Sequence, residues 1–598
     1  MGPATDVREP LLPELATSRG SAEADDATAP AQLPTSKHAH GSGEDSDLHS
    51  PLWPDRFRHG LSIDDVLTTW AGEFGFAQFI HFMFASFAWT LEALQTMLMI
   101  FADKTPTWKC IATADSKSSC LPSSSLCSLD SSLWEWVGGI HQSTVSEWEL
   151  ICGEEYKVGL VQSAFFLGAL LGAGLFGHLS DSRLGRKGTL VLVCILNSLT
   201  GILTGFAPNY WVYFALRMAT GISAGSLGLS SFVLATEPIG PSKRGAVGMS
   251  TFYFFSGGIM LLSGLALLTP SWRQLCIVSS IPSLVYGILV VFFLEESPRW
   301  YLVQGRVNDA MKVLASIARW NGKFIPEDIT VTIEKEEDDI EGSIQHEQED
   351  LQGESVPKLQ NSQVTHHQAS GTIFDVFRVH PTRIRMFIMT FIWLFVAVVY
   401  YGVSLNVSNL GTNLYLSVLL NALAEMPAFV LTAICLEKYG RKRVLIFALL
   451  LGAVCCLLGS LVPEHEENGV SNYHLTLSVQ DFVLSKTVNG SVMRLVCGMV
   501  AIFAMAGAYN LLYIYTAELF PTVVRNAALG FTSQAAQIGA IVAPMVVVLG
   551  KLHGSIPFAS FSVVSFLGGL IVFKLPETLH RPLYETFEGL QRSERIRN

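Results

Sequence analysis

The charged stretch Gly177-His-Leu-Ser-Asp-Ser-Arg-Leu-Gly-Arg-Lys187 lies between two long apolar runs and decides how the rest of the chain is interpreted. The flanking runs, 157 to 177 and 189 to 207, carry no interior charge, and each is long enough, or nearly so, to cross a bilayer as a helix. A compact basic turn between two such helices is typical of a cytoplasmic loop. We therefore expect a membrane protein whose basic loops face the cytoplasm.

The same arrangement occurs a second time. The turn Glu437-Lys-Tyr-Gly-Arg-Lys-Arg443 also lies between apolar runs, and its Gly440 follows Gly185 by 255 residues (440 − 185). Two pairs of glutamates share an offset of 281 residues: Glu237 with Glu518, and Glu296 with Glu577. The polar segment 463 to 490 accounts for most of the 26 residues by which the two offsets differ (281 − 255). A nearly constant offset indicates an internal duplication.

Composition supports a polytopic membrane protein. Of 598 residues, 50% are hydrophobic and only 15% are charged. The net charge of −12 arises mainly in the ends and the central loop, so no basic surface for nucleic acid is indicated. Twelve apolar runs predict an all-α protein of two six-helix bundles, at 79–101, 157–177, 189–207, 211–234, 246–268, 274–294, 385–405, 413–436, 443–462, 492–516, 528–550 and 556–575.

The pattern divides the chain into regions, with both termini expected in the cytoplasm. These are a disordered tail at 1–60, a first bundle at 61–294 with a large outer loop at 102–156, a central loop at 295–384, a second bundle at 385–576 and a tail at 577–598. Apolar helical spacing predicts a helix over Val307–Arg319. Glu9-Pro-Leu-Leu12 is either an acidic dileucine sorting signal or a chance pair of leucines. The sequence leaves both the plasma membrane and the vacuolar membrane open.

The outer loop contains four cysteines in a compartment that we expect to be oxidising: Cys110, Cys120, Cys127 and Cys152. Four cysteines predict two disulfides, for which three pairings are possible. No Cys-x-x-Cys or histidine spacing accompanies them, so we expect no metal site. Asn489-Gly-Ser491 is a glycosylation sequon in the outer insertion, although its closeness to the next helix leaves its use open.

Charged residues inside predicted helices identify candidate functional positions, because each costs a few kcal/mol unless it faces water or a partner. Arg217 and Arg494 occupy equivalent places in the two halves, which favours a shared structural or gating role. Glu92 and Glu425 have no such counterpart and are candidates for contacting a transported solute or proton. The alternative for Glu425 is a salt bridge to one of the two arginines.

Aromatic residues form a second set of candidates. Trp393, Tyr400 and Tyr401 lie in the seventh predicted helix and Tyr509 and Tyr513 in the tenth. Such rings attract quaternary ammonium groups, although packing and interface belts also use them. The sequence contains no phosphate-binding loop, metalloprotease motif or nucleophile elbow with a plausible triad. We therefore expect neither an enzyme nor an ATP-driven pump, and no cofactor.

The two charged turns resemble the signature loops of the major facilitator superfamily. Several segments resemble its organic ion transporters, and in particular the plant organic cation/carnitine transporters: Phe74-Gly-Phe-Ala-Gln-Phe79, Phe87-Ala-Trp89, Pro106-Thr-Trp-Lys-Cys110, Glu296-Ser-Pro-Arg-Trp300, Tyr400-Tyr-Gly-Val-Ser-Leu-Asn406 and Asn421-Ala-Leu-Ala-Glu-Met-Pro-Ala428. The resemblance implies alternating access and transport of organic cations, zwitterions such as carnitine, or anions. Gln537 is neutral where cation carriers often have Asp, which leaves a zwitterion or an uncharged solute open.

These observations predict a secondary-active transporter of a small organic solute in a lipid bilayer, with a proton or sodium ion as a possible coupling partner. The expected path-lining residues are Glu92, Trp393, Tyr401, Asn421, Glu425, Tyr509, Tyr513 and Gln537. The expected gating residues are Asp181, Arg186, Arg217, Glu237, Arg244, Glu437, Arg441, Arg494, Glu518 and Arg525. The alternatives are a carrier of a neutral or anionic solute and a receptor or scaffold of the same fold.

Overall fold

The computed structural model describes residues 61–111, 126–182, 184–326, 329–332, 373–410, 412–462 and 490–579, together with 581, 587, 590 and 591. Within these residues, twelve helices are long and apolar enough to cross a membrane. Numbered α1 to α12, they are Phe76–Ala102, Cys152–Asp181, Gly185–Thr204, Tyr210–Thr236, Pro241–Leu268, Trp272–Phe293, His380–Asn409, Leu414–Tyr439, Arg441–Leu461, Gly490–Leu519, Val523–Lys551 and Ser555–Val572.

The remaining described elements are short. Two strands, β1 (Trp108–Cys110) and β2 (Trp134–Trp136), pair antiparallel in the segment between α1 and α2. The short helices are Ile63–Val66, Thr144–Glu147, Pro298–Val303, Val307–Trp320 and Ile373–Arg378, with a π-turn at Leu67–Ala71 and 3₁₀ turns at Leu126–Ser128, Ser131–Leu133 and Ile140–Gln142. The helix expected over Val307–Arg319 is thus present.

The packing of the first six helices is repeated by the last six. In the first half (α1–α6), α1 packs on α4 and α5, α2 on α4, and α3 on α6. In the second half (α7–α12), α7 packs on α10 and α11, α8 on α10, and α9 on α12. Every contact recurs six helices later. The structure therefore confirms the expected two six-helix bundles and the duplication behind them.

The two halves meet through two helix pairs that the repeat makes equivalent. Helix α2 packs on α11, and α5 packs on α8. In the repeat, α2 is equivalent to α8 and α5 is equivalent to α11, so the two helix pairs correspond to each other. Side-chain contacts across the interface include a hydrogen bond of 2.7 Å from the Ser163 hydroxyl in α2 to the Ile541 carbonyl in α11. The interface is therefore approximately twofold, with the candidate site between its two helix pairs.

Small residues let neighbouring helices of one half approach closely. A Cβ atom at Gly168 or Gly172 of α2, or at Gly221 of α4, would collide with the backbone of the facing helix. Large apolar side chains instead point outward, as at Leu268 and Phe292, which are 79% and 75% exposed. This distribution suits a bilayer, where tight packing rather than apolar burial holds helices together.

The two ends of the helix bundle differ. One end, which we call the disulfide end, carries the β1–β2 hairpin and the disulfide between Cys127 and Cys152. Cys110 is also disulfide-bonded, and Cys120 lies outside the described residues. Among the described cysteines, the structure therefore joins Cys127 to Cys152. The other end, which we call the basic end, carries Arg186 and Arg441.

A small packed unit covers the first half at the basic end. Residues before α1, including Val66 and Leu67, share a buried apolar cluster with Leu314 and Ile317 of the helix Val307–Trp320. The Asn321 amide donates a hydrogen bond of 2.9 Å to the Ala71 carbonyl. The first part of the central segment is thus folded onto the start of the first half, and the acidic and histidine-rich stretch after it lies outside the described residues.

Candidate functional site

Five aromatic side chains of the second half converge in the middle of the bundle. The Trp393 ring centroid of α7 lies 4.8 Å from that of Tyr513 and 5.5 Å from that of Tyr509, both in α10. Tyr400 lies 5.7 Å from Tyr509 and 5.2 Å from Tyr401. Tyr509 and Tyr513 are one turn apart on α10. They contact Trp393 and Tyr400, which are two turns apart on α7. We call these five residues the aromatic cluster.

The first half completes the aromatic cluster. Phe252 of α5 lies 5.5 Å from Tyr513 and 5.2 Å from Trp89 of α1. Phe166 of α2 lies 4.9 Å from Tyr401. The rings therefore bridge the two halves. Sequence reasoning missed Phe166, because an apolar residue in an apolar helix carries no periodic signal.

Glu425 of α8 lies beside the cluster and is 2% exposed. Its carboxylate accepts a hydrogen bond of 2.9 Å from the Tyr400 hydroxyl and another from the Ser256 hydroxyl of α5. Both donors are neutral, so the alternative of a salt bridge to Arg217 or Arg494 is not what the structure shows. Asn421 lies one turn earlier, and its Oδ1 atom is buried with no hydrogen-bond partner among the described residues.

Glu92 of α1 faces the cluster from the opposite half. Its Oε2 atom is buried and has no hydrogen-bond partner among the residues that the structure describes. The carboxylate is close enough to Tyr401, Tyr509 and Tyr513 to interact electrostatically with their hydroxyl groups. No Lys or Arg in the described part of the chain compensates its charge. The remaining predicted path residue, Gln537 of α11, is half-buried.

The two membrane arginines lie toward the disulfide end, away from the basic turns. Arg217 is fully buried, donates a hydrogen bond of 2.9 Å to the Gln95 carbonyl, and stacks 4.6 Å from the Phe165 ring centroid. Arg494 donates a hydrogen bond of 2.8 Å to the Val462 carbonyl. Both are anchored to backbone carbonyls of their own half, and their expected shared structural or gating role stays a prediction.

At the basic end, Arg186 is the centre of a charged network in the first half. Its guanidinium lies 3.0 Å from the Asp181 carboxylate and 3.4 Å from that of Glu237. Its backbone N–H donates to the Glu296 carboxylate at 3.1 Å. Burial raises the pKa of Glu296, and backbone N–H donors and Arg186 oppose that shift.

The second half contains the equivalent network. The Arg441 guanidinium donates to Glu518 at 2.8 Å, and its backbone N–H donates to Glu577 at 2.8 Å. Thr578 also donates to Glu518, at 2.6 Å. These residues are related to Arg186, Glu237 and Glu296 by the offsets of 255 and 281 residues read from the sequence. The repeat therefore preserves the network as well as the helices.

Three predicted gating residues stand apart from these networks. Glu437 is exposed. Arg244 pairs instead with Asp64, at 2.6 Å, and Asp64 also pairs with Arg299. The Nε and Nη2 atoms of Arg525 are buried and have no hydrogen-bond partner within the described ranges. Sequence reasoning missed Asp64, which precedes the first apolar run.

The described residues contain no group of three or more His, Cys, Asp or Glu side chains that could hold a metal ion. An aromatic cluster with two carboxylates lies between the two halves, and each half carries its own charged network at the basic end. This geometry defines a membrane transporter of the major facilitator fold.

Comparison with known proteins agrees with this class. The chain belongs to the sugar (and other) transporter family, which it matches over residues 130–589. It is 51% identical to organic cation/carnitine transporter 4 of Arabidopsis thaliana, over 89% of this chain and 92% of that protein. It is 32% identical to a solute carrier family 22 member 15-like protein of Xenopus laevis, over 89% of this chain and 96% of that protein.

Solved structures show the same fold. The inward-open xylose transporter XylE of E. coli aligns with a TM-score of 0.55 at 15% identity, over 86% of this chain and 99% of that one. The family and fold expected from the charged turns are thereby confirmed.

Proposed function

We propose that this protein is a secondary-active transporter of small organic solutes that carry a cationic group, most simply organic cations or zwitterions such as carnitine. Transport would proceed by alternating access, with a proton or sodium ion as the coupling partner. The relatives named as organic cation/carnitine transporters support the solute class. The neutral Gln537 in α11 is compatible with a zwitterion as well as with a simple cation.

The observation that carries this proposal is the pairing of an aromatic cluster with two carboxylates that have no basic neighbour among the described residues. A membrane-embedded carboxylate is costly unless a partner neutralises it. A quaternary ammonium group supplies the missing positive charge and is attracted by the faces of tyrosine and tryptophan rings. Glu92 and Glu425 approach the cluster from the two halves, so a solute at the cluster lies between two carboxylates.

The networks around Arg186 and Arg441 are proposed to latch the basic end. Each ties the turn between two helices to residues at the ends of two other helices of the same half. Rocking of one half against the other would change the contacts of these turns, and the favoured state depends on which contacts are present. Asp181, Glu237 and Glu518 are therefore candidates for setting the rate of cycling.

We further propose that the basic end and both termini face the cytoplasm, because basic loops are retained there. The disulfide between Cys127 and Cys152 supports an oxidising compartment at the opposite end. Plasma and vacuolar membranes both provide this arrangement.

The test is uptake into proteoliposomes. Purified protein is reconstituted, and entry of radiolabelled tetraethylammonium and carnitine is measured with and without an inward proton gradient. The proposal expects uptake by the wild type, a strong reduction in Tyr509→Ala, and little change in Tyr156→Ala, a control tyrosine that is exposed at the disulfide end. Absence of uptake of both probes by folded protein would favour a neutral or anionic solute, or a receptor of the same fold.

A further inference from the structure

We infer that the two carboxylates at the aromatic cluster have different roles: Glu92 binds the cationic group of the solute, and Glu425 is a contact between the two halves. This inference rests on the function proposed above and refines it. It differs from the sequence-based expectation, which treated both residues as solute ligands.

Glu425 already has a complete set of partners. One carboxylate oxygen accepts from Tyr400 at 2.9 Å, and the other accepts from Ser256. Tyr400 belongs to α7 of the same half, whereas Ser256 belongs to α5 of the other half. The α5–α8 pair is one of the two places where the halves meet. The Ser256–Glu425 hydrogen bond is therefore a tie between halves that must change when they rock apart.

Glu92 is in the opposite situation. Its Oε2 atom is buried and makes no hydrogen bond to a described side chain, and the backbone of Gly228 in α4 is the polar group that approaches the carboxylate. Helix α4 packs closely against Glu92 at Gly228. A Cβ atom added at Gly228 would meet both the Glu92 carboxylate and, at 3.3 Å, the Trp89 ring. A buried acceptor without a partner carries a large desolvation cost. A cationic ligand that satisfies this oxygen would be bound strongly, whereas at Glu425 it would first have to displace a hydroxyl.

Equilibrium binding of radiolabelled tetraethylammonium to purified protein separates the two roles. We expect Glu92→Gln to weaken binding by about tenfold or more, since a charge-assisted contact is lost. Glu92→Asp should recover part of the affinity, which an isosteric but neutral glutamine cannot do. Ser256→Ala should change affinity by less than about threefold and should alter the rate of tetraethylammonium exchange across proteoliposomes, because only the tie between halves is removed.

The outcomes are distinguishable. Wild-type protein that binds tetraethylammonium while Glu92→Gln binds it equally well overturns the inference and leaves the proposed function standing. Wild-type protein that binds neither tetraethylammonium nor carnitine overturns both. If Glu92→Gln does not fold, Gly228→Ala is the second variant: crowding of the Glu92 carboxylate should weaken binding. Gly174→Ala, where an added methyl group meets open space, is its control.

A different observation supports a second inference, at the disulfide end. The three residues after α1 each have a separate anchor. Asp103 accepts hydrogen bonds from Thr144 at 2.7 Å and from Tyr213 at 2.9 Å, both in the first half. Its neighbours reach the second half, as Lys104 donates to the Tyr415 hydroxyl of α8 at 3.2 Å, and Thr105 accepts from Lys551 of α11 at 2.9 Å.

The geometry points to Asp103-Lys104-Thr105 as the contact that closes the disulfide end. Asp103 holds the turn rigidly on the first half, so that Lys104 and Thr105 present fixed partners to α8 and α11. The Phe101 ring also stacks on Tyr415, with centroids 5.5 Å apart. A cavity between the halves lies beside this contact and is lined by Asp103, Gln162, Ser408, Val548 and Lys551. Loss of the contact should expose the cavity to solvent at the disulfide end.

Thiol labelling tests this contact without any transported solute. Ser408→Cys places a reporter in the cavity, and its reaction with a membrane-impermeant maleimide is followed in sealed vesicles, after subtraction of the labelling of protein without it. Adding Lys551→Ala or Thr105→Val should raise the labelling rate about threefold or more, because the hydrogen bond between Thr105 and Lys551 is lost. Lys109→Ala is the matched control, since Lys109 pairs with Glu135 on the hairpin. Equal labelling in all variants would overturn the inference.

Discussion

The carboxylate of Glu577 accepts a hydrogen bond from the backbone N–H of Arg441 at 2.8 Å. Glu296 accepts the equivalent bond from Arg186 at 3.1 Å. Both carboxylates therefore satisfy free N–H groups at the start of a helix, where the helix dipole favours a negative charge. The two halves repeat this interaction at the basic end, and its geometry explains why a glycine occupies the same place in both turns.

The glycines of the basic turns should not tolerate a side chain. Gly185 and Gly440 have φ angles of 77° and 92°, and a Cβ atom at Gly440 would come within 2.6 Å of the Glu577 carboxylate. We expect Gly440→Ala and Gly185→Ala each to cost about 1–3 kcal/mol, because strain and a steric clash add together. Thermal unfolding of the purified variants measures this cost. Gly174→Ala serves as the control, and an unchanged Tm in the turn variants would refute the explanation.

Asp181 should affect transport more than stability. Its side chain is 74% exposed, and it pairs with Arg186 at 3.0 Å. Exposed ion pairs contribute about 0–1 kcal/mol, so Asp181→Ala should leave the Tm nearly unchanged. The rate of exchange should nevertheless fall, because Arg186 loses one partner in the proposed latch while binding of the solute is retained. A normal exchange rate with normal surface expression would remove Asp181 from the latch.

The segment between α1 and α2 should loosen in acid. Burial alone would raise the pKa of Glu147, but hydrogen bonds from Arg273, Trp272 and His141 outweigh it, so the pKa is lowered below its usual 4.5. A lowered carboxyl pKa contributes stability that is present above pH 4.5 and is lost as pH falls through the folded-state value.

Tryptophan fluorescence during thermal unfolding checks this pH dependence. The wild-type Tm should fall on acidification below pH 4.5. Glu147→Gln should have a lower Tm at neutral pH and a smaller loss in acid. Identical profiles for the two proteins would show that Glu147 is not responsible.

The disulfide should contribute to the stability of the same segment. Cys127 and Cys152 are separated by 25 residues, and closing a loop of that length stabilises the folded state by about 3 kcal/mol. We expect the double variant Cys127→Ser/Cys152→Ser to unfold at lower temperature and to be cleaved more readily by protease at the disulfide end. Unaltered protease resistance would indicate that packing alone holds this segment.

The architecture could be predicted from the sequence because it depends on patterns that are local or repeated. Apolar length fixes the twelve helices, and constant offsets identify equivalent residues such as Arg186 and Arg441 before any coordinates are known. Charged residues inside apolar runs can also be identified from the sequence. Placing a charge in a membrane costs free energy, so Glu92 and Glu425 were candidates for a functional role.

The partners of those charges could not be predicted. Ser256 meets Glu425 across 169 residues, and Asp64 meets Arg299 across 235, through packing that no local pattern encodes. Sequence reasoning named Tyr400 and Tyr401 as aromatic candidates but could not show that the Tyr400 hydroxyl donates to Glu425. Adjacent residues on a helix point about 100° apart, and only the packing of α7 decides which one faces the carboxylate.

The central claim, an alternating-access carrier for cationic solutes, is tested most directly by counterflow. Proteoliposomes loaded with unlabelled tetraethylammonium are diluted into medium with a trace of labelled tetraethylammonium. The account predicts a transient accumulation of label above its equilibrium level in wild-type vesicles, and its loss in Glu92→Gln. A channel would equilibrate without overshoot, and a receptor would not move the label. Absence of the overshoot with folded wild-type protein would contradict the account.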